Sequence, residues 1–183
     1  MKVNNKSILV IGDVFLDIFS EYDAVKISPE APIPVIKKIE DKFFVGGAAN
    51  VANNIKSIGG EVFLISRGSN DKNSHKLKKL LFKNKINNIF FKEPGYKTII
   101  KERYFSQNQQ LLRVDNDKIF PIGLSLEKKI IKFIKKNIDK FSILLISDYA
   151  KGLLTRTLLR KIIHIFKLNK KLIICDPKSE DLS

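Results

Sequence analysis

Residues 46–66 read GGAANVANNIKSIGGEVFLIS, a helix-forming segment between two glycine pairs, followed by a short apolar run. The pattern predicts a helix over Ala48–Ile58, because glycine directly after the last helical residue is a common stop signal and Gly59-Gly60 stands at that place. The run Glu61–Ser66 has the length and composition of a strand covered on both faces. A helix that leads straight into a buried strand is typical of an α/β sheet.

The same alternation continues in both directions along the chain. Three further apolar runs predict strands, at Ser7–Ile11, Ser142–Ser147 and Lys171–Cys175. Three segments with apolar residues at helical spacing predict helices, at Asn73–Lys85, at Leu126–Asn137 behind a cap at Ser125, and at Leu153–Lys167. Strands that alternate with helices of this length indicate parallel βαβ units, so we predict a doubly wound, mostly parallel α/β sheet.

Two segments interrupt this rhythm. Ile18–Phe44 is β-prone but rich in proline, and Lys97–Asp115 is a β-prone pair of segments broken around Ser106–Asn108. Apolar and charged residues alternate in Thr98–Phe105, which predicts antiparallel strands with one solvated face. We interpret residues 18–44 and 97–115 as a small β lid that projects from the α/β body, and residues 1–183 as the N-terminal part of one domain. Such a lid can cover a ligand or form a dimer contact.

The chain is strongly basic, with 34 Lys and Arg against 19 Asp and Glu, a net charge of +15. Only five of the basic residues are arginine, whose planar guanidinium suits phosphate and base recognition better than the lysine ammonium does. Lys, Ile and Asn make up 70 of the 183 residues, as A/T-rich codons would favour. We therefore interpret the charge as a solvated lysine surface, and a nucleic-acid-binding surface stays the weaker alternative.

Composition and patterning exclude several classes of protein. Hydrophobic residues make up 44% of the chain, which is incompatible with a disordered protein. The single cysteine, Cys175, excludes a disulfide framework and is predicted to be a small core residue. No apolar run approaches the roughly 20 residues of a membrane helix, and the N-terminal run lacks a cleavage site, so we expect a cytoplasmic protein. The histidines show no metal-ligand spacing, which predicts no metal site.

The glycine pair Gly46-Gly47 is also a candidate binding element. Adjacent glycines let the backbone approach a ligand closely, and the first turn of a helix presents unpaired N–H groups to polar or anionic groups. Asn50, one turn into the predicted helix, can donate and accept hydrogen bonds, which suits a pair of sugar hydroxyls. The alternative is a tight turn whose glycines serve only the packing of the helix on a strand.

Polar residues follow three of the predicted strands. They are Asp13 and Asp17 after the first strand, Asp148 and Lys151 after Ser142–Ser147, and Asp176 and Lys178 after the last. Ligands of open α/β sheets bind beyond the carboxyl ends of strands, so these side chains are expected to share one polar crevice. The alternative is that Asp13 only caps a turn and that only Asp17 matters for binding.

Seven segments follow one another along the chain in a recognisable order. They are Gly12-Asp13, ISPEAPIPV at 27–35, GGAANVA at 46–52, Thr98-x-x-Lys101-x-Arg103, NQQLLRVD at 108–115, SDYAKG at 147–152 and Asp176-Pro177-Lys178. Together they resemble the ribokinase-like (phosphofructokinase-B) sugar kinases over essentially the whole chain. The Ser-Pro-Glu-Ala-Pro and Asn-Gln-Gln segments are narrower, and resemble the kinase domain of the bifunctional heptose-7-phosphate kinase / heptose-1-phosphate adenylyltransferases.

The resemblance implies a ribokinase-like fold and a reaction. The implied reaction is ATP-dependent phosphorylation of D-glycero-D-manno-heptose 7-phosphate at its anomeric hydroxyl to the 1,7-bisphosphate, in ADP-heptose and lipopolysaccharide core synthesis. ATP and Mg²⁺ are the implied cofactors, and the implied partner is a sugar phosphate. By the same resemblance the sugar is held by Asp17, Gly46, Gly47 and Asn50. The implied cations are Lys101, Arg103 and Arg113 on the lid, with Asp148 and Lys151 bordering the reacting region and Lys178 assigned to the cofactor.

The sequence departs from the family pattern at two places. Ser69 stands where the family's glycine signature has a further Gly, directly after Gly68. The second signature, a Gly-Ala-Gly-Asp turn that carries the base, is not found among the 183 residues. We therefore expect that no catalytic base precedes Ser183, that the C-terminal part of the fold is missing, and that this polypeptide alone has no appreciable kinase activity.

Three explanations stay open for such a chain: an artificially shortened enzyme, one half of a split enzyme, or a decayed gene product. We expect a homodimer through the lid or a complementing C-terminal chain. We also expect a late strand with an exposed edge, and poor solubility unless a partner covers it. The alternative function is a non-catalytic, sugar-phosphate-binding or dimerising remnant of such a kinase.

Overall fold

The computed structural model, which describes residues 7–178, contains two β-sheets and four α-helices in that part of the chain. The strands are β1 (Ser7–Gly12), β2 (Val14–Ile27), β3 (Pro34–Gly47), β4 (Val62–Gly68), β5 (Asn87–Lys92), β6 (Ile99–Ser106), β7 (Gln109–Asn116), β8 (Phe141–Ser147) and β9 (Leu172–Asp176). The helices are α1 (Ala48–Ser57), α2 (Lys72–Lys83), α3 (Leu124–Asn137) and α4 (Arg156–Leu168).

The main sheet is parallel throughout and has the order β5-β4-β1-β8-β9. Leu9 and Ile11 of the central β1 pack on the face that α3 and α4 cover, whereas Val10 packs on the face that α1 and α2 cover. Successive residues of a strand point to opposite faces, which explains why an unbroken apolar run forms this strand. The predicted doubly wound α/β sheet is confirmed.

The second sheet has the order β3-β2-β6-β7. β2 pairs with β3, and β6 with β7, in antiparallel fashion, while β2 and β6 run parallel. The predicted second sheet is thus confirmed, and its hairpin turn lies at Gln107 and Asn108, which both have positive φ. It takes in more residues than the predicted segments 18–44 and 97–115, because β2 begins at Val14 and β3 ends at Gly47.

The outer part of β2 and β3 forms a two-stranded arm, residues 23–39. β6 pairs with β2 only as far as Tyr22, so the arm has no third strand beside it. Several large apolar side chains on the arm are exposed to solvent; they are Val25, Ile27, Ile33 and Ile39. Two-stranded ribbons are marginally stable by themselves, so this arm is a surface that a partner would stabilise.

Two predicted helix starts were wrong. α4 begins at Arg156 rather than at Leu153, because Thr155 caps it by accepting a hydrogen bond from the N–H of Leu158. Leu153 belongs instead to the preceding loop, and its N–H donates to the side chain of Asp13. Ser125 does not cap α3, since that helix already begins at Leu124.

The edges of the main sheet also differ from expectation. β5 was not predicted, because its sequence NNIFFK begins with two polar residues and it lies at the edge of the sheet. At the other edge, Leu172 and Ile174 of β9 are 59% and 46% exposed, which confirms the exposed late strand. Cys175 is exposed as well, so the prediction of a core cysteine was wrong. Within residues 7–178, no helix combines the length and apolar character needed to cross a membrane.

Candidate functional site

The candidate site lies where the carboxyl ends of β1 and β8 meet the second sheet and the start of α1. The N–H of Ala48, the first residue of α1, donates a 2.9 Å hydrogen bond to the main-chain oxygen of Asp13. Gly47 before it has φ +62°, and a Cβ there would lie 2.3 Å from the same oxygen. The positive φ and the lack of space for a Cβ both require glycine at this position. Gly47 therefore allows α1 to begin in contact with the end of β1.

Gly46 makes room for Asp17. In the antiparallel β2–β3 pair Gly46 lies opposite Phe15, and a Cβ on Gly46 would come within 2.3 Å of Asp17 Oδ2 and of the Phe15 ring. Any larger residue would displace the carboxylate or the ring. The structure therefore brings Gly46, Gly47 and Asp17 together. The family resemblance assigned these three residues to one sugar site.

Two cations of β6 lie on the same face of the second sheet as Asp17. Asp17 is opposite Lys101, and Phe19 is opposite Arg103, so the four side chains project to one side. Arg103 Nη1 lies 2.5 Å from Asp17 Oδ1, and the guanidinium stacks on the Phe19 ring at 5.2 Å. The Lys101 ammonium lies 4.2 Å from the centre of the Phe15 ring.

Two more of the predicted site residues, Arg113 and Lys151, interact electrostatically with Lys101. Burial lowers the pKa of Lys101, and the neighbouring cations Lys151 and Arg113 lower it further, while Asp115 and Asp17 act in the opposite direction. These charges therefore lie close enough to affect one another. A partly buried cluster with a surplus of cations favours an anionic ligand.

Arg113 and Lys151 each have an acidic partner. Arg113 lies opposite Arg103 in the β6–β7 pair, and its Nε is 2.8 Å from Asp115 Oδ1. The Lys151 ammonium forms an ion pair with Asp117 and is largely buried. Arg113 and Lys151 both act on Lys101, and their acidic partners offset part of the positive charge that they contribute.

In the described part of the chain, no side-chain hydrogen bond or ion pair joins Asp148, Asn50 or Lys178 to this cluster. Asp148 accepts a 2.8 Å hydrogen bond from the N–H of Ala150, so it shapes its own turn after β8. Asn50 is exposed on α1, and within the described residues no hydrogen bond joins it to Asp17. Lys178 is exposed beyond the end of β9. No three His, Cys, Asp or Glu side chains in residues 7–178 are placed to hold a metal ion.

Sequence reasoning missed Arg67, the largest fully buried side chain in the described part of the chain. Its Nη1 lies 2.9 Å from Glu93 Oε2, and its guanidinium carbon lies 4.2 and 4.6 Å from the ring centres of Tyr96 and Phe120. Its Nη2 donates to the main-chain oxygens of Phe120 and Lys151 at 3.0 and 2.9 Å. An arginine directly after the predicted strand Glu61–Ser66 was the available signal.

Asp13 has a different environment from Asp17. It is 4% exposed, and its two carboxylate oxygens accept hydrogen bonds from the N–H groups of Lys151 and Leu153, at 2.9 and 3.1 Å. Burial raises the pKa of Asp13, although these two hydrogen bonds lower it in part. This geometry agrees with the alternative that Asp13 caps a turn.

A second polar cluster anchors the start of β6. Asp71, the N-cap of α2, accepts hydrogen bonds of 2.7 Å from the N–H groups of Ser74 and Thr98 and from the hydroxyl of Ser69. Ser69 also lies 3.1 Å from the Thr98 hydroxyl. Ser69 thus links the start of α2 to the residue before β6, the strand that carries Lys101.

Comparison with known proteins supplies the family. Residues 5–183 match the family model described as pfkB family carbohydrate kinase. The chain belongs to the PfkB family of carbohydrate kinases. Among solved structures, it resembles ribokinase from Giardia lamblia (TM-score 0.68, 13% identity, 97% of this chain and 56% of that one). It also resembles phosphofructokinase-2 from Escherichia coli in its tetrameric inhibited form (TM-score 0.69, 16% identity, 96% and 56%). These two likenesses concern the fold alone.

The sequence relatives of this PfkB chain are more specific. It is 40% identical over 178 residues to the bifunctional protein HldE of Aliarcobacter butzleri, covering 97% of this chain and 37% of that protein. It is 38% identical over 175 residues to HldE of Geobacter metallireducens, covering 94% and 36%. The chain therefore spans less than two fifths of the length of these relatives.

Proposed function

We propose that this chain forms the sugar-phosphate-binding part of an ATP-dependent kinase that phosphorylates D-glycero-D-manno-heptose 7-phosphate at its anomeric hydroxyl. The reaction yields the 1,7-bisphosphate, an intermediate on the way to ADP-heptose and the lipopolysaccharide core. The observation that carries the proposal is the position of Asp17, a carboxylate beside Gly46 with Lys101 and Arg103 along the neighbouring strand.

The chemistry of this group suits a sugar that already bears a phosphate. A carboxylate accepts hydrogen bonds from hydroxyl groups, and the lack of a side chain at Gly46 leaves room for the Asp17 carboxylate beside the Phe15 ring. Arginine binds phosphate through two parallel N–H donors, and lysine adds a point charge. We assign the hydroxyl groups to Asp17 and the existing phosphate to Lys101, Arg103 and Arg113, with Lys151 and Asp148 towards the reacting end.

Two short segments and the HldE relatives support a heptose as the sugar. Ser28–Pro32 lies at the tip of the arm, and Asn108–Gln110 lies at the turn between β6 and β7. Both segments resemble the heptose branch of the family more than the family at large.

ATP and Mg²⁺ remain part of the proposal. Lys178 is the residue that we assign to the nucleotide. The described residues offer no group of metal ligands, so no step is assigned to Mg²⁺ here. Because the reaction consumes ATP, we place the enzyme in the cytoplasm. We also predict that the 183 residues alone bind the sugar phosphate but do not transfer a phosphate group to it.

A homodimer through the second sheet is also proposed. Ile27 and Ile39 on the arm are 74% and 60% exposed. Because a two-stranded ribbon is only marginally stable by itself, contacts of these side chains with a second copy would stabilise the arm. The apolar edge strand β9 is a separate surface, and a complementing chain that adds a strand there is the other partner that we propose.

The experiment is a calorimetric titration of the 183-residue chain with D-glycero-D-manno-heptose 7-phosphate. We expect binding that Asp17→Asn weakens by about 10- to 100-fold, because hydrogen bonds to a charged group contribute about 1.5–3 kcal/mol. Asp139→Asn, at an exposed acid before β8, is the matched control and should bind as the unchanged chain does. No binding, or equal binding by Asp17→Asn, would contradict the proposal.

A further inference from the structure

We infer that Asp13 and Arg67 are positioning residues that hold Lys151 in place for the anionic part of the ligand. The inference rests on the proposed function, since it needs a phosphorylated sugar for Lys151 to meet. Neither residue is expected to touch that ligand. Each acts on the main chain of Lys151, from opposite sides of the same residue.

The two contacts on Lys151 are complementary. Its N–H donates to Asp13 Oδ2 at 2.9 Å, and its carbonyl oxygen accepts from Arg67 Nη2 at 2.9 Å. Asp13 follows β1 and Arg67 lies in β4, two adjacent parallel strands of the main sheet. The donor and the acceptor of one loop residue are therefore both fixed to the rigid sheet by charged groups.

The loop needs such restraint because its backbone is strained. Ala150 has φ +53° and Gly152 has φ +97°, so the residues on both sides of Lys151 adopt left-handed conformations. For Ala150, which has a Cβ, this conformation is unfavourable and persists only where the surroundings determine it. A Cβ on Gly152 would lie 2.1 Å from the carbonyl oxygen of Phe120, which Arg67 also binds.

Because Asp13 and Arg67 are buried, we attribute to their charges a role in positioning Lys151 and not only in stabilising the fold. Asp13 and Arg67 are 4% and 2% exposed, and removing charges from water is costly. Burial raises the pKa of Asp13 and the Asp148 carboxylate adds to this, whereas the Arg67 charge and the two N–H donors lower it. Two well-packed apolar residues could fill this space at less cost, but they could not hold the N–H and the C=O of Lys151.

The result of this restraint is the position of the Lys151 ammonium. It pairs with Asp117 and affects the pKa of Lys101, so it belongs to the same group of charges as the cations of β6. An ammonium on a free loop would sample many positions, and each would lie at a different distance from a bound phosphate. A fixed loop therefore adds selectivity for phosphorylated over unphosphorylated sugar.

The test is a double-mutant cycle on the 183-residue chain, with titration calorimetry against D-glycero-D-manno-heptose 7-phosphate and against the unphosphorylated heptose. Asp13→Asn keeps the volume of the side chain but replaces one acceptor oxygen by a donor. We expect it to weaken binding of the phosphorylated sugar about tenfold, with less than a twofold effect on the unphosphorylated one. Arg67→Lys, which keeps the charge but not the fork, should behave in the same way.

The second substitution in the double-mutant cycle is Lys151→Met. Lys132→Met, on the exposed face of α3, is the matched control for the loss of one positive charge. In the Lys151→Met background, Asp13→Asn should cause no further loss of selectivity. Equal loss of affinity for both sugars, or additive effects of the two substitutions, would overturn the inference and indicate a structural role. Circular dichroism of each variant identifies misfolding, and Arg67→Lys then provides the decisive comparison.

The outcomes separate this inference from the proposed function. If the unchanged chain binds neither sugar, or if Lys151→Met alone leaves the selectivity unchanged, the proposed roles of the site fail and the inference fails with them. If the unchanged chain selects the phosphorylated sugar and Lys151→Met reduces that selectivity while Asp13→Asn and Arg67→Lys do not, only the inference fails.

Discussion

Asp17 and Arg103 form an ion pair across two parallel strands, with Arg103 Nη1 2.5 Å from Asp17 Oδ1. Asp17 lies next to the glycine pair before α1, and Arg103 lies on β6 of the second sheet. The carboxylate proposed to hold sugar hydroxyls is thus already in contact with a cation proposed to hold phosphate. Because the pair is only partly buried, a ligand can exchange its own groups for this contact at moderate cost.

Substitution of Arg103 tests this arrangement. We expect Arg103→Met to weaken binding of the phosphorylated heptose about tenfold and to change binding of the unphosphorylated sugar much less, because a charged hydrogen bond to phosphate is lost. Titration calorimetry measures both. Arg160→Met, on the exposed face of α4, removes the same charge and is the matched control. A similar loss for both sugars would mean that Arg103 only supports Asp17.

The glycine pair gives a prediction about stability. Gly47 has φ +62° and a Cβ there would meet Asp13 main-chain oxygen at 2.3 Å, whereas Gly59 has φ +84° with nothing within 4 Å. Both Gly→Ala substitutions introduce backbone strain, but only Gly47→Ala adds a clash. We expect Gly47→Ala to lower the free energy of unfolding by about 1–3 kcal/mol more than Gly59→Ala, measured by urea denaturation. Equal losses would show that the helix start adapts freely.

Asp71 gives a prediction about pH. Burial alone would raise the pKa of Asp71, but hydrogen bonds from the N–H groups of Thr98 and Ser74 and from the Ser69 hydroxyl outweigh it, and the pKa is lowered. A lowered carboxyl pKa stabilises the fold above the unfolded value of about 3.9, and the stabilisation is lost as the pH falls through the folded value.

We therefore expect Asp71→Asn to lower the free energy of unfolding by about 1–2 kcal/mol at pH 7, and by less near pH 3, which lies below the unfolded pKa. Urea denaturation at the two pH values measures this difference. Asp139→Asn, an exposed acid, should show little effect at either pH. An undiminished effect of Asp71→Asn at low pH would refute the role of its charge in anchoring β6.

The arm gives a prediction about assembly. We expect the chain to sediment as a dimer, and the double substitution of Ile27→Asp and Ile39→Asp to produce a monomer, because charges would replace exposed apolar contacts. Ile58→Asp is the matched control, since Ile58 is 84% exposed at the end of α1, away from the arm. A monomeric unchanged chain, or a dimer that survives both arm substitutions, would exclude this interface.

Much of the fold was predictable because its signals are local. The apolar runs of β1, β4 and β8 are covered on both faces, so hydrophobicity alone marks them. β5 begins with Asn87 and Asn88 and was missed for lack of that signal. The start of α4 was misplaced because Leu153 fits the helical spacing, although its N–H is used by Asp13, 140 positions earlier. No local pattern reveals such a contact.

The candidate site was predictable only in its parts. Gly46, Gly47 and Asp17 were singled out because a glycine pair before a helix and a carboxylate after a strand are local patterns, and the family resemblance assigns them to the sugar. Their contact with Arg103 joins positions 86 residues apart, which depends on strand register rather than on any motif. Arg67 was missed for the same reason, since its partners come from three separate loops.

The most direct test of the account is the affinity of the unchanged chain for D-glycero-D-manno-heptose 7-phosphate, compared with that for the unphosphorylated heptose in the same buffer. Titration calorimetry should give at least about tenfold tighter binding of the phosphorylated sugar, because the cations beside Asp17 then have a phosphate to bind. Equal affinities, or no binding of either sugar, would contradict the claim that this cluster recognises a sugar phosphate.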